Sequence, residues 1–304
     1  TLSSPNPEEA QAFQLAIQYG KEGGADLLLA TDPDADRLGV AVKNHRGEYV
    51  LLTGNQTGAL LLHYMLSQKQ KKGMRTDNSV MLKTIVTSEL GRAIAVDYGV
   101  QTVDTLTGFK YIAEKIEEYK GKKTFQFGYE ESYGYLIGDF VRDKDAVQAA
   151  VMLAEAAAYY KQKNMTLYDG LIKLYETYGY YKESLTSFTL KGKDGAEQIN
   201  RIVNRFREHH PAEIAGAAVE KIEDYQTGLR TNLLTAQQEK IDLPSSNVLK
   251  FWVQDGSWFA IRPSGTEPKV KFYFGVRQGT NVESEERLKE METNVINMVE
   301  SIIY

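Results

Sequence analysis

Three aspartates alternate in Thr31-Asp32-Pro33-Asp34-Ala35-Asp36-Arg37, directly after the apolar run 26–31. Like charges this close repel unless a cation neutralises them, and an all-oxygen donor set suits a hard ion such as Mg²⁺. An EF-hand loop is excluded, because the twelfth residue from Asp32 is Lys43 where that loop requires Glu. Asp32 and Asp34 also have the spacing of an aspartate-nucleophile phosphatase, and a solvated acidic turn is the plain alternative. A second loop, Arg262-Pro263-Ser264-Gly265-Thr266-Glu267-Pro268, joins two apolar runs. Arg262 can grip phosphate oxygens bidentately, Ser264 and Thr266 offer hydroxyls, and Gly265 lets backbone N–H groups approach an anion. Lys269 and Lys271 share one face of the strand that follows. An ordinary hairpin turn is the alternative there.

Three further segments carry polar chemistry. Thr107-Gly108-Phe109-Lys110 opens a helix after a strand, where free N–H groups and Lys110 suit an anion or a hydroxyl. In Glu130-Glu131-Ser132-Tyr133-Gly134 the adjacent acids point to opposite sides of an extended chain, so one can face a ligand, with a carboxylate and a hydroxyl suited to sugar hydroxyls, while the other is structural; an exposed polar hairpin is the alternative. Val141-Arg142-Asp143-Lys144-Asp145 supplies a lysine able to act as general acid or base if its pKa is tuned, or simply to join a surface ion-pair cluster. The run Lys69, Lys71, Lys72, Arg75 reads as a solvated helix end, and His209-His210 as a surface helix end.

The elements that must position these loops follow from periodicity and punctuation. Asn6, Pro7, Glu8 and Glu9 have the grammar of a helix start, with Gly23-Gly24 as its stop. A short buried strand at 26–31 follows, then strands 38–42 and 49–53 across the turn 44–47. From 54 the pattern alternates: helix 55–68, strand 79–86, helix 88–97, strand 100–104, helix 108–119, strand 124–128, and helices 143–163 and 166–179. That is α/β, an α/β sandwich with a mixed or parallel sheet flanked by helices. Beyond Tyr178-Gly179-Tyr180-Tyr181 the grammar changes to strands 183–190, 217–222, 247–254, 257–262 and 269–276, with helices 196–209 and 283–302. This predicts a C-terminal α+β domain.

In order, T-D-P-D-A-D-R-L at 31–38, T-G-F-K at 107–110, E-E-S-Y-G at 130–134, V-R-D-K-D at 141–145 and R-P-S-G-T-E-P at 262–268 closely resemble the α-D-phosphohexomutase superfamily, in its phosphoglucomutase branch. The resemblance covers nearly the whole chain. It implies a metal site of Asp32, Asp34 and Asp36 holding Mg²⁺, with Arg37 at the transferred phosphoryl group. It implies substrate contacts from Thr107, Gly108, Phe109, Glu130 and Ser132, and a phosphate clamp of Arg262, Ser264, Gly265, Thr266 and Lys271. Lys144 matches a lysine assigned to proton transfer, with Lys110 as the other candidate. The implied reaction interconverts glucose 1-phosphate and glucose 6-phosphate through a sugar bisphosphate that serves as intermediate and activator.

The same resemblance assigns 1–53 to the end of a second domain with the metal loop, 54–180 to a sugar-recognising third domain and 181–304 to a phosphate-binding fourth. The superfamily's phosphoserine loop has no good match: Leu2-Ser3-Ser4-Pro5-Asn6-Pro7 lies too close to the metal loop, so Ser3 and Ser4 are discounted as nucleophiles. The expectation is a fragment without its phosphoryl carrier, inactive alone, whose partial first domain leaves strand edges unpaired. A phosphopentomutase or a sugar-bisphosphate synthase shares the motifs, and a non-catalytic phosphosugar-binding module is a further alternative.

The whole chain bounds these readings. Its 304 residues suggest two to three domains, and 42% hydrophobic with 25% charged residues is a globular balance. A net charge of −5 gives no global attraction for nucleic acid or acidic lipid, so an anion site must be built locally. The absence of cysteine removes disulfides, thiolate metal sites and thiol nucleophiles, and fits a cytoplasmic enzyme. No apolar run approaches the roughly 18 residues of a membrane span. The partner expected is a phosphorylated sugar, with no nucleic acid and no membrane, and the oligomeric state stays open between monomer and dimer.

Overall fold

The helix start expected at Asn6-Pro7 is realised later. Asn6 Oδ1 accepts from the Glu8 N–H at 3.1 Å and closes a turn. A 3₁₀ turn at Ala10–Phe13 then leads into α1, Gln14–Gly23. The computed structural model describes residues 2, 4–190, 192–265 and 267–303. Ser3 and Thr266 therefore lie outside the described residues.

The chain divides into two compact units, 1–178 and 179–304. In the first, β1 (Leu27–Thr31), β2 (Leu38–Lys43) and β3 (Tyr49–Leu52) form an antiparallel sheet in that order. β2 is covered on both faces. The strand expected to be buried, β1, is instead an edge with only half-buried and exposed positions, Leu29 at 37% exposure. Its apolar run reflects strand propensity and not a two-sided core position.

α2 (Gly54–Lys71) begins with a capping box between Thr53 and Gln56. The second sheet of this unit has the order β5-β4-β6-β7, from β4 (Ser79–Thr84), β5 (Gln101–Thr105), β6 (Thr124–Tyr129) and β7 (Tyr135–Ile137). β4 pairs parallel with β5 and β6, while β7 returns antiparallel on β6. α3 (Leu90–Asp97), α4 (Phe109–Tyr119), α5 (Ala146–Lys161) and α6 (Leu167–Tyr178) complete the unit. One core layer joins Val80 and Leu82 of β4 to Ile112 and Ile116 of α4. The sheet is thus mixed and flanked by helices.

The second unit is α+β. An eight-stranded antiparallel sheet runs β12-β11-β10-β13-β14-β15-β8, with a short β9 against β10. Its strands are β8 (Tyr180–Thr189), β9 (Glu213–Ile214), β10 (Ala217–Asp224), β11 (Leu229–Asn232), β12 (Gln238–Lys240), β13 (Leu249–Val253), β14 (Trp258–Pro263) and β15 (Lys269–Gln278). Its helices are α7 (Gly192–Glu208) and α8 (Asn281–Ile303). Ile202 and Phe206 of α7 and Met291 and Val295 of α8 share one core with Phe251, Phe259, Phe272 and Phe274 of the sheet. Phe251 and Phe259 stack at 4.6 Å between centroids.

Candidate active site

The acidic loop closes the β1–β2 connection. The Asp32 N–H reaches Arg37 O at 3.3 Å and the Ala35 N–H reaches Asp32 O at 3.0 Å. Ala35 sits at φ 56, a left-handed conformation that costs a residue with a Cβ and recurs where a loop must present ligands. Its carbonyl accepts from the Ala146 N–H at 3.1 Å, which ties the loop to the first turn of α5. One oxygen from each of Asp32, Asp34 and Asp36 lies within 4.8 Å of the others. Asp32 is buried, Asp36 half-buried and Asp34 exposed. Three convergent carboxylates, with Asp34 making no other hydrogen bond or ion pair among the described residues, fit a hard divalent cation.

Asp32 is heavily engaged. Its Oδ1 accepts from the Asp36 and Arg37 N–H groups at 3.1 and 3.0 Å, and its Oδ2 from Arg37 Nε at 2.7 Å. Burial pushes its pKa up, but these bonds from Arg37 and Asp36 outweigh it and hold the carboxyl below its ordinary value. Both oxygens being held speaks against Asp32 as a phosphatase nucleophile. Arg37 is tied further, through Nη1, to Glu8 at 2.7 Å and Asn6 at 3.3 Å. Nothing in the sequence marks these two as site residues, because a polar pair opening a helix resembles a cap.

The E-E-S-Y-G segment is joined to the acidic loop through the backbone. Arg37 and Gly134 form an antiparallel bridge, and the Leu38 N–H reaches Tyr133 O at 3.0 Å. The two acids diverge. Glu130, 7% exposed, takes the Gly108 N–H on Oε1 at 2.9 Å. Glu131 Oε2 accepts from Thr84 and Thr87 Oγ1, each at 3.1 Å. Ser132 follows Glu131 in the turn and is half-buried.

Lys144 crosses this junction. Its Nζ is 2.8 Å from Asp36 Oδ2 and 3.4 Å from Asp143 Oδ1, and it stands 5.7 Å from the Phe109 ring centroid. Burial lowers the Lys144 pKa, and the ion pairs with Asp36 and Asp143 overcome this and raise it. Asp36 moves up as well: burial leads, and Lys144 only partly offsets it. A Cβ on Gly134 would lie 2.3 Å from Lys144 Cδ, so only glycine leaves room for this side chain.

The T-G-F-K turn is split by the structure. Gly108 takes φ 112, open to glycine, and presents its N–H to Glu130. Thr107 is half-buried beside it. Phe109 is 4% exposed and packs into the core with Ile112, so its ring is a structural anchor as much as a wall. Lys110 is exposed with its ammonium 4.7 Å over Tyr111, and no ion pair joins it to the acidic loop among the described residues.

Sequence reasoning missed the support beneath. Lys83, fully buried on β4, reaches Glu89 at 2.9 Å and Asp104 at 3.2 Å, while Arg92 clamps the same two acids. Burial opposes the Lys83 charge, but Asp104 and Glu89 hold its pKa above the ordinary value. A lysine in an apolar strand gives no signal of its partners until the strands are paired.

In the second unit, β14 and β15 place Arg262 directly opposite Lys271 and Pro263 opposite Val270. Lys269 and Lys271 alternate with buried Val270 and Phe272, so they share the face away from the core. The Ser264 N–H donates to Lys269 O at 2.7 Å, closing the hairpin, and Ser264 Oγ accepts from the Glu267 N–H at 3.2 Å. Gly265 is exposed at the tip. Arg262 makes only a long 3.5 Å bond to the Tyr273 hydroxyl, and neither Arg262 nor Lys271 has a carboxylate partner among the described residues. Two cations facing each other across strands repel, so this hairpin suits an anion.

Family models for three parts of phosphoglucomutase/phosphomannomutase match the chain in sequence order. They are α/β/α domain II over residues 1–47, α/β/α domain III over 53–178 and the C-terminal domain over 199–295. A phosphoglucomutase of Staphylococcus aureus (strain USA300) is 41% identical over 277 residues, 91% of this chain and 49% of that protein. One from Staphylococcus haemolyticus is 38% identical over 296 residues, 97% of this chain and 52% of that protein. Parafusin, a phosphoglucomutase of Paramecium solved in an open form, superposes with TM-score 0.67 at 19% identity, covering 98% of this chain and 50% of that one. A phosphoglucomutase/phosphomannomutase family protein of Burkholderia thailandensis gives TM-score 0.61 at 17% identity, covering 99% and 52%. The chain spans about half the length of the curated relatives it matches.

Proposed function

The chain belongs to the phosphoglucomutase/phosphomannomutase family, and on that premise we propose that it carries the metal-binding, sugar-reading and phosphate-holding parts of an enzyme that interconverts glucose 1-phosphate and glucose 6-phosphate. The observation that carries this reading is the junction of the acidic loop, the E-E-S-Y-G turn and Lys144, drawn together by the Arg37–Gly134 bridge and the Lys144–Asp36 ion pair.

In this reading Asp32, Asp34 and Asp36 hold Mg²⁺, which when bound supplies charge neutralisation for a transferring phosphoryl group. Arg37, oriented by Asp32 and Glu8, adds a fixed positive charge beside that group. Glu130 and Ser132 accept and donate to sugar hydroxyls, with the Thr107-Gly108 turn pinned against Glu130. Lys144 is the lysine placed to move a proton or to offset charge at the junction, and Lys110 is left to the outer surface. Arg262, Ser264, Gly265, Thr266 and Lys271 hold the phosphate that does not react. Positioning phosphates is most of what phosphoryl transfer asks of a protein. The serine that carries the phosphoryl group is proposed to come from outside these residues, so that the chain alone turns over no substrate.

Calorimetric titration of glucose 1-phosphate and of glucose, with and without Mg²⁺, tests the reading. Binding of the phosphosugar and not of glucose, lost in Arg262→Ala, is the expected result. Equal binding of both sugars would remove the phosphate clamp from the proposal. Mutase turnover by the chain alone, abolished in Asp34→Ala, would overturn the externally supplied serine.

A further inference from the structure

A concave site lies in the first unit, walled by the C-terminal half of α2, the end of α3 and helices α5 and α6. It is a cavity of about 380 Å³. Three lysines, Lys71, Lys163 and Lys173, stand around it, and no carboxylate lines it. In a chain of net charge −5 such a cluster is a local exception. Neither Lys71, Lys163 nor Lys173 has a carboxylate partner among the described residues. Lys71 and Lys163 instead converge on one phenol. Both donate to the Tyr159 hydroxyl, Lys163 at 2.6 Å, and their ammoniums stand 4.4 and 4.2 Å from the Tyr159 ring centroid. A neutral hydroxyl is a poor counter-charge for two ammoniums, and the pair lowers the Tyr159 pKa to about 8.

Tyr98, Tyr160 and Leu174 add ring and apolar surface to a wall that also carries the polar side chains of Ser67, Gln70 and Thr177. A second observation concerns an imidazole in this wall. His63 lines the cavity, packs edge-on to Tyr98 at 5.9 Å, and leaves Nδ1 buried without a hydrogen-bond partner. Burial pushes the imidazole below its ordinary pKa, so it is neutral and able to meet a hydroxyl as donor or acceptor. Asp97, whose charge reaches His63 and Tyr98, is already engaged by the Tyr178 hydroxyl at 2.8 Å.

We propose that this cavity is a second ligand site, taking a phosphate monoester of a small sugar. Its phosphate lies between the Lys71 and Lys163 ammoniums, and its ring lies against Tyr98 and Tyr160 with a hydroxyl at His63. Paired ammoniums match the double charge of a monoester, and aromatic faces suit the C–H surface of a sugar ring. The enclosing helices disfavour a long polyanion, which the net charge of the chain also repels. The site stands apart from the acidic loop and does not depend on the function proposed above.

Amide chemical shifts of the whole chain, titrated with glucose 6-phosphate, inorganic phosphate and glucose, test this. With glucose 6-phosphate, saturable shifts are expected at 63–71, 159–165 and 170–177. The double variant Lys71→Gln with Lys163→Gln is expected to weaken binding at these amides by about tenfold or more, the loss of one or two charge-assisted hydrogen bonds. Arg262→Ala is expected to leave them unchanged, so failure here and failure of the proposed function give different patterns. Glucose is expected to give no shift, and inorganic phosphate about tenfold weaker binding, since it lacks the ring. Equal binding of the two phosphates would overturn the sugar part. Absence of saturable shifts at these amides, or unaltered affinity in the double variant, would overturn the site.

Discussion

At the scale of single residues the acidic loop shows how much one cation can substitute for another. Lys144 already occupies Asp36 at 2.8 Å, and Arg37 occupies Asp32 at 2.7 Å, so of the three carboxylates only Asp34 would meet a metal ion without competition. Removing the free ligand and removing the competitor are therefore expected to act in opposite directions. Asp34→Asn is expected to weaken Mg²⁺ or Mn²⁺ binding by about tenfold or more, as losing a ligand charge does. Lys144→Met is expected to tighten it by about fivefold, since unit charges about 4 Å apart are worth ~1 kcal/mol even at the dielectric of water. Manganese titration followed by electron paramagnetic resonance reads both variants directly. Weaker binding in Lys144→Met would mean that the lysine holds Asp36 in place and does not compete for it.

At the scale of elements the site depends on a strand end that no functional motif marks. Thr84, at the end of β4, and Thr87 beyond it donate to Glu131, whose backbone carries both Glu130 and Ser132 into the junction. Thr87→Val is expected to cost about 1–3 kcal/mol by stripping a donor from a half-buried carboxylate. A urea melt followed by far-ultraviolet dichroism measures it, and Glu131→Gln in the same background is expected to recover part of the loss. An unchanged midpoint would show that water replaces the hydroxyl. What the sequence made legible divides along the same line. The acidic loop and the paired acids could be read because their chemistry lies within a few residues. The α/β elements from 54 onward could be read because their apolar periods are long. β7, β9, β11 and β12 could not, being two to four residues each and, in β12, exposed throughout. The Lys83 and Arg92 pairs with Asp104, and the Arg37 contacts to Asn6 and Glu8, join residues far apart along the chain. They exist only once the strands have paired, and nothing local in the sequence announces them.

At the scale of the whole molecule, the two units each close a core of their own, and each is expected to give its own unfolding transition in calorimetry. Phe259→Ala, which empties a stacked position in the second unit, is expected to lower that unit's stability by about 3–5 kcal/mol. Acid reaches the second unit through Glu223. This carboxylate is 4% exposed, accepts from Arg230 Nε at 2.7 Å and from the Tyr225 hydroxyl at 2.9 Å, and shares its sheet with buried Lys250, whose ammonium lies 4.2 and 4.1 Å from the Trp252 and Trp258 rings. Burial raises the Glu223 pKa, but Lys250 and Arg230 outweigh burial and bring it below the ordinary 4.5. A folded-state pKa lower than the unfolded one stabilises the fold fully above the unfolded value, and that stabilisation is lost as pH falls through the folded one. The second transition is therefore expected to hold its temperature down to a pH near 4.5 and to drop below it. In Glu223→Gln the transition is expected to start lower at neutral pH, because Lys250 and Arg230 lose their counter-charge, and to depend less on pH below that point. Scans of both proteins from pH 7 to pH 3 would separate this from general acid unfolding, which would leave the two slopes parallel.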